Sequence, residues 1–230
     1  MQITDIAAVT SIAEELGVLT IADNTFATPY NQRPLDMGVD ISVLSATKYL
    51  GGHSDLSAGV LAGGRDLVDQ IRHGPSKLMG GNIAPQVAWL VLRGIKTLAL
   101  RMERHNSNAA AIASRLVSNP KVRAVYHPSL ESHANHSIAA SQMRGFGGML
   151  ALDLGTADAA KSFVNKVELC TFATSLGGVE TIVQPSALMT HATLSEEERA
   201  AAGISEGLIR MSVGIENVDD LLMDIDKSLK

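Results

Sequence analysis

The chain has 230 residues, of which 46% are hydrophobic and 19% charged, with a formal net charge of -5. That length supports a sizeable core in one large or two smaller units, and the balance is that of a globular protein rather than a disordered one. The acidic balance gives no electrostatic reason to expect nucleic acid or an anionic membrane as partner; no signal peptide or apolar run of about 18 residues is legible, and the single cysteine, Cys170, is read as a buried thiol, so a cytoplasmic location is expected.

In chain order, ITDIAAVTSIAEEL has apolar residues at helical spacing, with Asp5 near its start and Gly17 after its end, which predicts a capped helix. It leads into VLTIA, a short apolar run that reads as a buried strand, and Asp23 follows at that strand's carboxyl end. After NTFATPYNQRPLDMG, a second apolar run, VDISVLS, delivers Ser45, Thr47 and Lys48 at its end, and SAGVLAG reads as a third strand. This alternation predicts an α/β unit with a mostly parallel sheet, in which ligand sites collect beyond the strand carboxyl ends. Asp23 and Lys48 are thereby expected to reach one pocket from neighbouring strands.

The stretch IAPQVAWLVLRGIKTLALRMERHNSNAAAIASRLVSNP reads as a long, mainly helical bridge interrupted near Gly94. VRAVYHP, GGMLALDLG, ADAAKSFVNKV and GLIRMSVGIENVDDLLMDIDKSL then predict a second, α+β unit of strands and covering helices. The expected division is 1–110 and 111–230. His127, His133 and His136 lie close together in YHPSLESHANH, but no H-E-x-x-H pattern or second ligand cluster accompanies them, and no metal site is expected.

One cofactor matches the mixture of side chains in the first unit. Pyridoxal phosphate offers an aldehyde to Lys48, a pyridine nitrogen to Asp23 and a phosphate to the hydroxyls of Ser45 and Thr47. The same residues also admit a plainer assignment, with Asp23 capping the backbone after its strand, Ser45 and Thr47 making turn hydrogen bonds, Gly51 and Gly52 serving backbone geometry, and Lys48 solvated.

ADNTFATP and SATKYLGGHSD resemble the Cys/Met-metabolism family of pyridoxal-phosphate enzymes, which has the aspartate-aminotransferase-like fold (fold type I). The resemblance extends to LRGIKTLALRMERHNSNA, TSLGGVETIVQPSALMTH and GISEGLIRMSVGIENVDDLLMDI, nearly the whole sequence. It implies that residues 1–110 are the remainder of a large cofactor-binding domain and 111–230 a smaller C-terminal domain. It also implies that Lys48 is the catalytic lysine that carries the cofactor, that Asp23 pairs with the pyridine nitrogen, and that Ser45 and Thr47 bind phosphate. Arg210, with Ser175 nearby, is implied to hold the substrate α-carboxylate. Without the resemblance, Arg210 reads as an exposed residue balancing Glu206 or Glu216.

The reaction implied is elimination of a β or γ substituent from a sulfur-containing amino acid, with Lys48 first as covalent anchor and then as carrier of the α-proton. The terminal stretch resembles the branch that acts on methionine, and Thr174 stands where members acting on cystathionine often carry glutamate. The expected substrate is therefore methionine, giving 2-oxobutanoate, ammonia and methanethiol; the alternatives are cystathionine γ-lyase or cystathionine γ-synthase chemistry, or a catalytically inactive interaction subunit. Family members are longer, and the parts without a counterpart here include a glycine-rich phosphate loop and a tyrosine stacked on the cofactor. The expectation is of a complex with the N-terminal half as a separate polypeptide, assembled into dimers or tetramers of completed units. Val87 departs from an acidic family position, and His191 resembles a family position with no chemical role assigned.

Overall fold

The structure is a computed structural model that describes residues 1–187, 189 and 193–230; His191 lies outside the described residues. The first helix, Ile6–Leu16, begins where its sequence predicts. The Asp5 carboxylate accepts from the Ala8 N–H, and Gly17 closes the helix in the left-handed region at φ +63°, its N–H turned back to the Ala13 and Glu14 carbonyls.

β1 (Ile21–Asp23), β2 (Ile41–Ser45) and β3 (Gly59–Gly63) form a three-stranded sheet in that order. β1 and β2 are parallel, as expected, but β3 runs antiparallel to β2, so this sheet is mixed rather than mostly parallel. The connection explains it: the segment between Ser45 and Gly59 contains no crossover helix and doubles back beside the strand it left. VLTIA reads as a buried strand, whereas the ladder begins only at Ile21, which is 66% exposed on the sheet edge.

The helical bridge is two helices, Pro85–Ile95 and Leu98–Val117. The break falls at Lys96–Thr97, near Gly94 as expected, and Gly94 itself is buried inside the first of them. Gly94 has a packing role there, since a Cβ would lie 2.5 Å from the Leu50 carbonyl oxygen and 2.6 Å from that of Gly51. The helix thus rests directly on the turn that follows Lys48.

β4 (Ala124–Tyr126), β5 (Met149–Asp153), β6 (Thr171–Phe172), β7 (Ile182–Pro185) and β8 (Leu208–Ser212) form a second sheet, ordered β4-β5-β8-β7-β6 and antiparallel except for the β6–β7 pair. Strand alternation separates its faces. Leu150, Leu152, Val183, Ile209 and Met211 pack with Ile112, Leu116, Phe163, Leu221 and Ile225 from the helices Leu98–Val117, Ala157–Lys166 and Val218–Ser228. Met149, Ala151, Gln184, Arg210 and Ser212 consequently face the other way. Leu116→Ala removes a fully buried side chain from the helix side, and a loss of about 2–5 kcal/mol is expected in urea unfolding.

Asp224 of the last helix ties this core together. Its carboxylate accepts the backbone N–H groups of Glu168, Leu169 and Cys170 at 2.8, 3.0 and 2.9 Å. Burial alone would raise its pKa, but these donors outweigh it and hold the carboxyl below its ordinary value. Its contribution to stability is therefore complete above the unfolded carboxyl pKa, about 4, and is lost as pH falls through the lower folded value. Asp224→Asn is expected to destabilise the protein at pH 7 and to flatten the acid limb of a urea-unfolding series. The adjacent Cys170 is buried, as expected, with its thiol pKa raised by burial and by Asp224.

The clustered histidines are engaged by the protein itself. His127 is buried between Ser129 Oγ and the Gly147 carbonyl, with its pKa lowered to about 4 mainly by burial, while His133 and His136 bond the carbonyls of Met1 and Pro128. Among the described residues no helix is long and apolar enough to cross a membrane.

Candidate functional site

The turn after β2 presents Lys48 toward the second sheet. Lys48 Nζ donates to Ser175 Oγ at 2.7 Å, and Arg210 Nη2 donates to the Ser175 carbonyl oxygen at 2.8 Å. One residue thus joins the amine from the first sheet to the guanidinium from β8. Burial lowers the Lys48 pKa, and the positive charge of Arg210 lowers it further. Both effects favour a neutral amine, the form that can attack a carbonyl or accept a proton.

Ser175 has φ +85°, an uncommon conformation for a residue with a Cβ. Its loop is fixed two residues on: the Gly177 N–H donates to Ser212 Oγ at 2.8 Å, and a Cβ on Gly177 would lie 2.8 Å from the Tyr49 nitrogen. The neighbour of Lys48 on one side and a β8 residue near Arg210 on the other thereby hold Ser175 between them.

Asp23, Ser45 and Lys48 line one cavity of about 690 Å³, whose walls also include Gly147, Met149 and Leu176. The Asp23 carboxylate, itself exposed, accepts the Thr25 N–H at 2.9 Å, and Thr25 Oγ1 accepts the Ser45 N–H at 2.8 Å, so the ends of β1 and β2 are laced together. Thr47 is placed differently. Its hydroxyl accepts the Ala58 N–H at 3.0 Å and donates to the Ala58 carbonyl at 3.3 Å, closing the turn. The structure therefore gathers Asp23, Ser45 and Lys48 at the cavity, joins Ser175 and Arg210 to them through the lysine, and engages the Thr47 hydroxyl in the turn.

Arg101 escaped sequence reasoning. Its buried guanidinium donates to the carbonyls of Tyr49, Leu50 and Gly94 at 2.6, 3.4 and 2.8 Å, while Nε donates to Thr97 Oγ1 at 3.1 Å. It clamps the carbonyl end of the Lys48 turn to the two bridging helices, and it fits because Gly52 has no side chain there. The available signal was its position: Arg101, His105, Asn108 and Ile112 recur at helical spacing on the buried stripe of Leu98–Val117. A charged residue on such a stripe needs partners, and here backbone carbonyls supply them.

A cavity of this size suits a small cofactor. Its lining carries an amine disposed to be neutral, a carboxylate and a serine at the strand end, a donor set that fits pyridoxal phosphate. The sequence pattern of the family described as Cys/Met metabolism PLP-dependent enzyme matches residues 1–230. The chain belongs to this family. It is 47% identical, over all of its length and 59% of the relative's, to an L-methionine gamma-lyase of Fusobacterium nucleatum, and 48% identical, over 60% of the relative, to a cystathionine beta-lyase of Lactococcus lactis. A solved cystathionine gamma-lyase from Lactobacillus plantarum, complexed with L-serine, superposes with a TM-score of 0.93 at 43% identity, over 99% of this polypeptide and 60% of that one. The sequence thus spans about three fifths of the length of the relatives it matches. The fold is the family's α/β architecture, a mixed-sheet domain and a smaller β-rich C-terminal domain.

Proposed function

We propose that this polypeptide supplies the lysine and the carboxylate-binding arginine of a pyridoxal-phosphate-dependent enzyme that cleaves or exchanges the carbon–sulfur bond of a sulfur-containing amino acid. The observation that carries this reading is the Lys48–Ser175–Arg210 connection, which sets an amine of lowered pKa beside a guanidinium. Lys48 would hold the cofactor, Asp23 would pair with its pyridine nitrogen, and Ser45 with the turn containing Thr47 would receive its phosphate. Bound pyridoxal phosphate supplies an electron sink for negative charge developing at the substrate α-carbon. Arg210 orients the α-carboxylate through paired charge-assisted N–H bonds, Ser175 Oγ holds the lysine amine in place, and Lys48 Nζ takes and returns the α-proton.

Cystathionine, in lyase or synthase chemistry, is the better supported substrate. Relatives of nearly equal identity are named for methionine and for cystathionine, and two of the three described above carry cystathionine in their names. The methionine expectation rests on Thr174, an exposed residue, and on the terminal stretch, while relatives of both kinds match over the whole of this chain. Side-by-side kcat/KM values for methionine and cystathionine, with a thiol-trapping assay for replacement, test the choice; preference for methionine rejects cystathionine.

The working enzyme, in this reading, includes the family segment that the relatives carry beyond the part matched here and forms dimers or tetramers of completed units. Support comes from the relatives' greater length and from apolar side chains left in the open, among them Met79, Trp89 and Leu92 at 85, 54 and 64% exposure. Native mass measurement tests it, and full activity from residues 1–230 without the rest of the family segment rejects it.

The lowered Lys48 pKa has a consequence of its own. In cofactor-free protein, an amine-selective reagent should label Lys48 with a midpoint below the usual lysine value of about 10.4. Arg210→Ala removes a nearby cation and should move that midpoint upward, as pH-resolved peptide mapping would show.

A further inference from the structure

Gln184 lies on the site-facing side of β7, and the roles assigned to Lys48, Ser175 and Arg210 make no use of its amide. It stands directly opposite Arg210 in the antiparallel β7–β8 ladder, so the two side chains leave the sheet on the same face as neighbours. Gln184 is fully buried, and neither its amide oxygen nor its amide nitrogen has a hydrogen-bond partner. Arg210, beside it, donates to the Ser175 carbonyl and forms no ion pair among the described residues. An interior amide without partners is unfavourable, and methionine or leucine would fill the space without that penalty. The third strand contributes only Ala151 opposite Arg210, which has no polar side-chain group to offer.

We propose that Gln184 is a positioning residue of the carboxylate subsite, with the α-carboxylate of an amino acid as the ligand that completes it. The amide oxygen accepts an N–H of the Arg210 guanidinium, and the amide nitrogen donates to one carboxylate oxygen held by that guanidinium. Each unmet group of the amide then has a partner of the right sense: an acceptor meets a cation and a donor meets an anion. The inference rests on the proposed role of Arg210 as the carboxylate holder. It adds a neutral amide that fixes the guanidinium's orientation and makes the subsite read the carboxylate's geometry as well as its charge.

The test uses the assembled, cofactor-loaded enzyme and two substrate-analogue probes, 3-(methylthio)propionate and 3-(methylthio)propylamine, which carry the carboxylate or the amine but not both. Binding is measured by calorimetry beside kcat, KM and thermal midpoint. Gln184→Met should weaken the propionate probe about tenfold, the loss expected for a hydrogen bond to a charged group, and leave the amine probe unchanged. KM for the amino acid should rise in step while kcat holds and the thermal midpoint does not fall. Gln184→Glu should weaken the propionate probe further, because its own carboxylate occupies Arg210. If Gln184→Met and Gln184→Glu both bind the propionate probe as the parent does while Arg210→Ala does not, the inference fails and the role of Arg210 stands. If Arg210→Ala also binds it unchanged, the carboxylate reading fails with it.

Discussion

Lys48→Ala is expected to reduce turnover of the assembled enzyme by more than about 10⁴-fold, because one substitution removes both the covalent anchor and the proton carrier. The fold should survive it. Lys48 is half-buried, its amine's one hydrogen bond goes to Ser175 Oγ, and the turn beneath it is held by backbone bonds from Gly51 to Ala46 and from Gly52 to Lys48 together with the Arg101 clamp. Those turn contacts involve no Lys48 side-chain atom. Thermal unfolding within a few degrees of the parent, alongside lost turnover in single-turnover assays, is the expected pair of results. Lys48→Arg should fare no better, since a guanidinium keeps its proton throughout the accessible pH range. Turnover retained in either variant would remove the lysine from the chemistry.

The second large effect is expected at Arg210. Arg210→Ala deletes the charge that receives the substrate carboxylate and leaves the Ser175 carbonyl without its donor, so KM for any α-amino acid should rise about 10²-fold or more. Arg210→Lys should recover little of this, because one ammonium cannot reproduce two parallel N–H bonds in a fixed fork. The amine and guanidinium share Ser175, and the two residues are therefore expected to be non-additive in a double-mutant cycle. Additive losses from Lys48→Ala and Arg210→Ala would show that the connection through Ser175 has no energetic content.

Much of this arrangement was legible in the sequence, for identifiable reasons. The first helix was marked at both ends, by an aspartate cap and a left-handed glycine, and both signals are local. The strands that deliver Asp23 and Lys48 were marked by apolar runs, and a common pocket followed from strand ends lying side by side. The antiparallel return of β3 was not legible, because strand direction depends on what the intervening turn does and not on the strand's composition. The helix break near Gly94 was legible, but the packing role of that glycine was not, since a glycine required for close approach to the Leu50 and Gly51 carbonyls looks the same in sequence as one that ends a helix.

β6 and β7 gave weak signals for a different reason. β6 is only two residues long, and β7 is buried at every position, so neither shows alternation between wet and dry faces. With β7 unassigned, Gln184 had no face to belong to, and its position opposite Arg210 could not be seen. Arg101 was hidden by its company: in a stretch that also carries Arg93, Arg104 and Arg115, one guanidinium that turns inward to backbone carbonyls has no distinct spelling. The residues with recognisable chemistry were legible as candidates, and those that hold them in place emerged only from contacts across the fold.

The most direct test of the central claim is to reduce the assembled enzyme with borohydride in the presence of pyridoxal phosphate, digest it, and locate the pyridoxyl group by peptide mass. The expected result is a single modified peptide spanning SATKYLGG with the label on Lys48, and its loss in Lys48→Ala. Reproducible stoichiometric labelling of a different lysine, with Lys48 unmodified, would contradict the assignment of Lys48 as the cofactor's anchor.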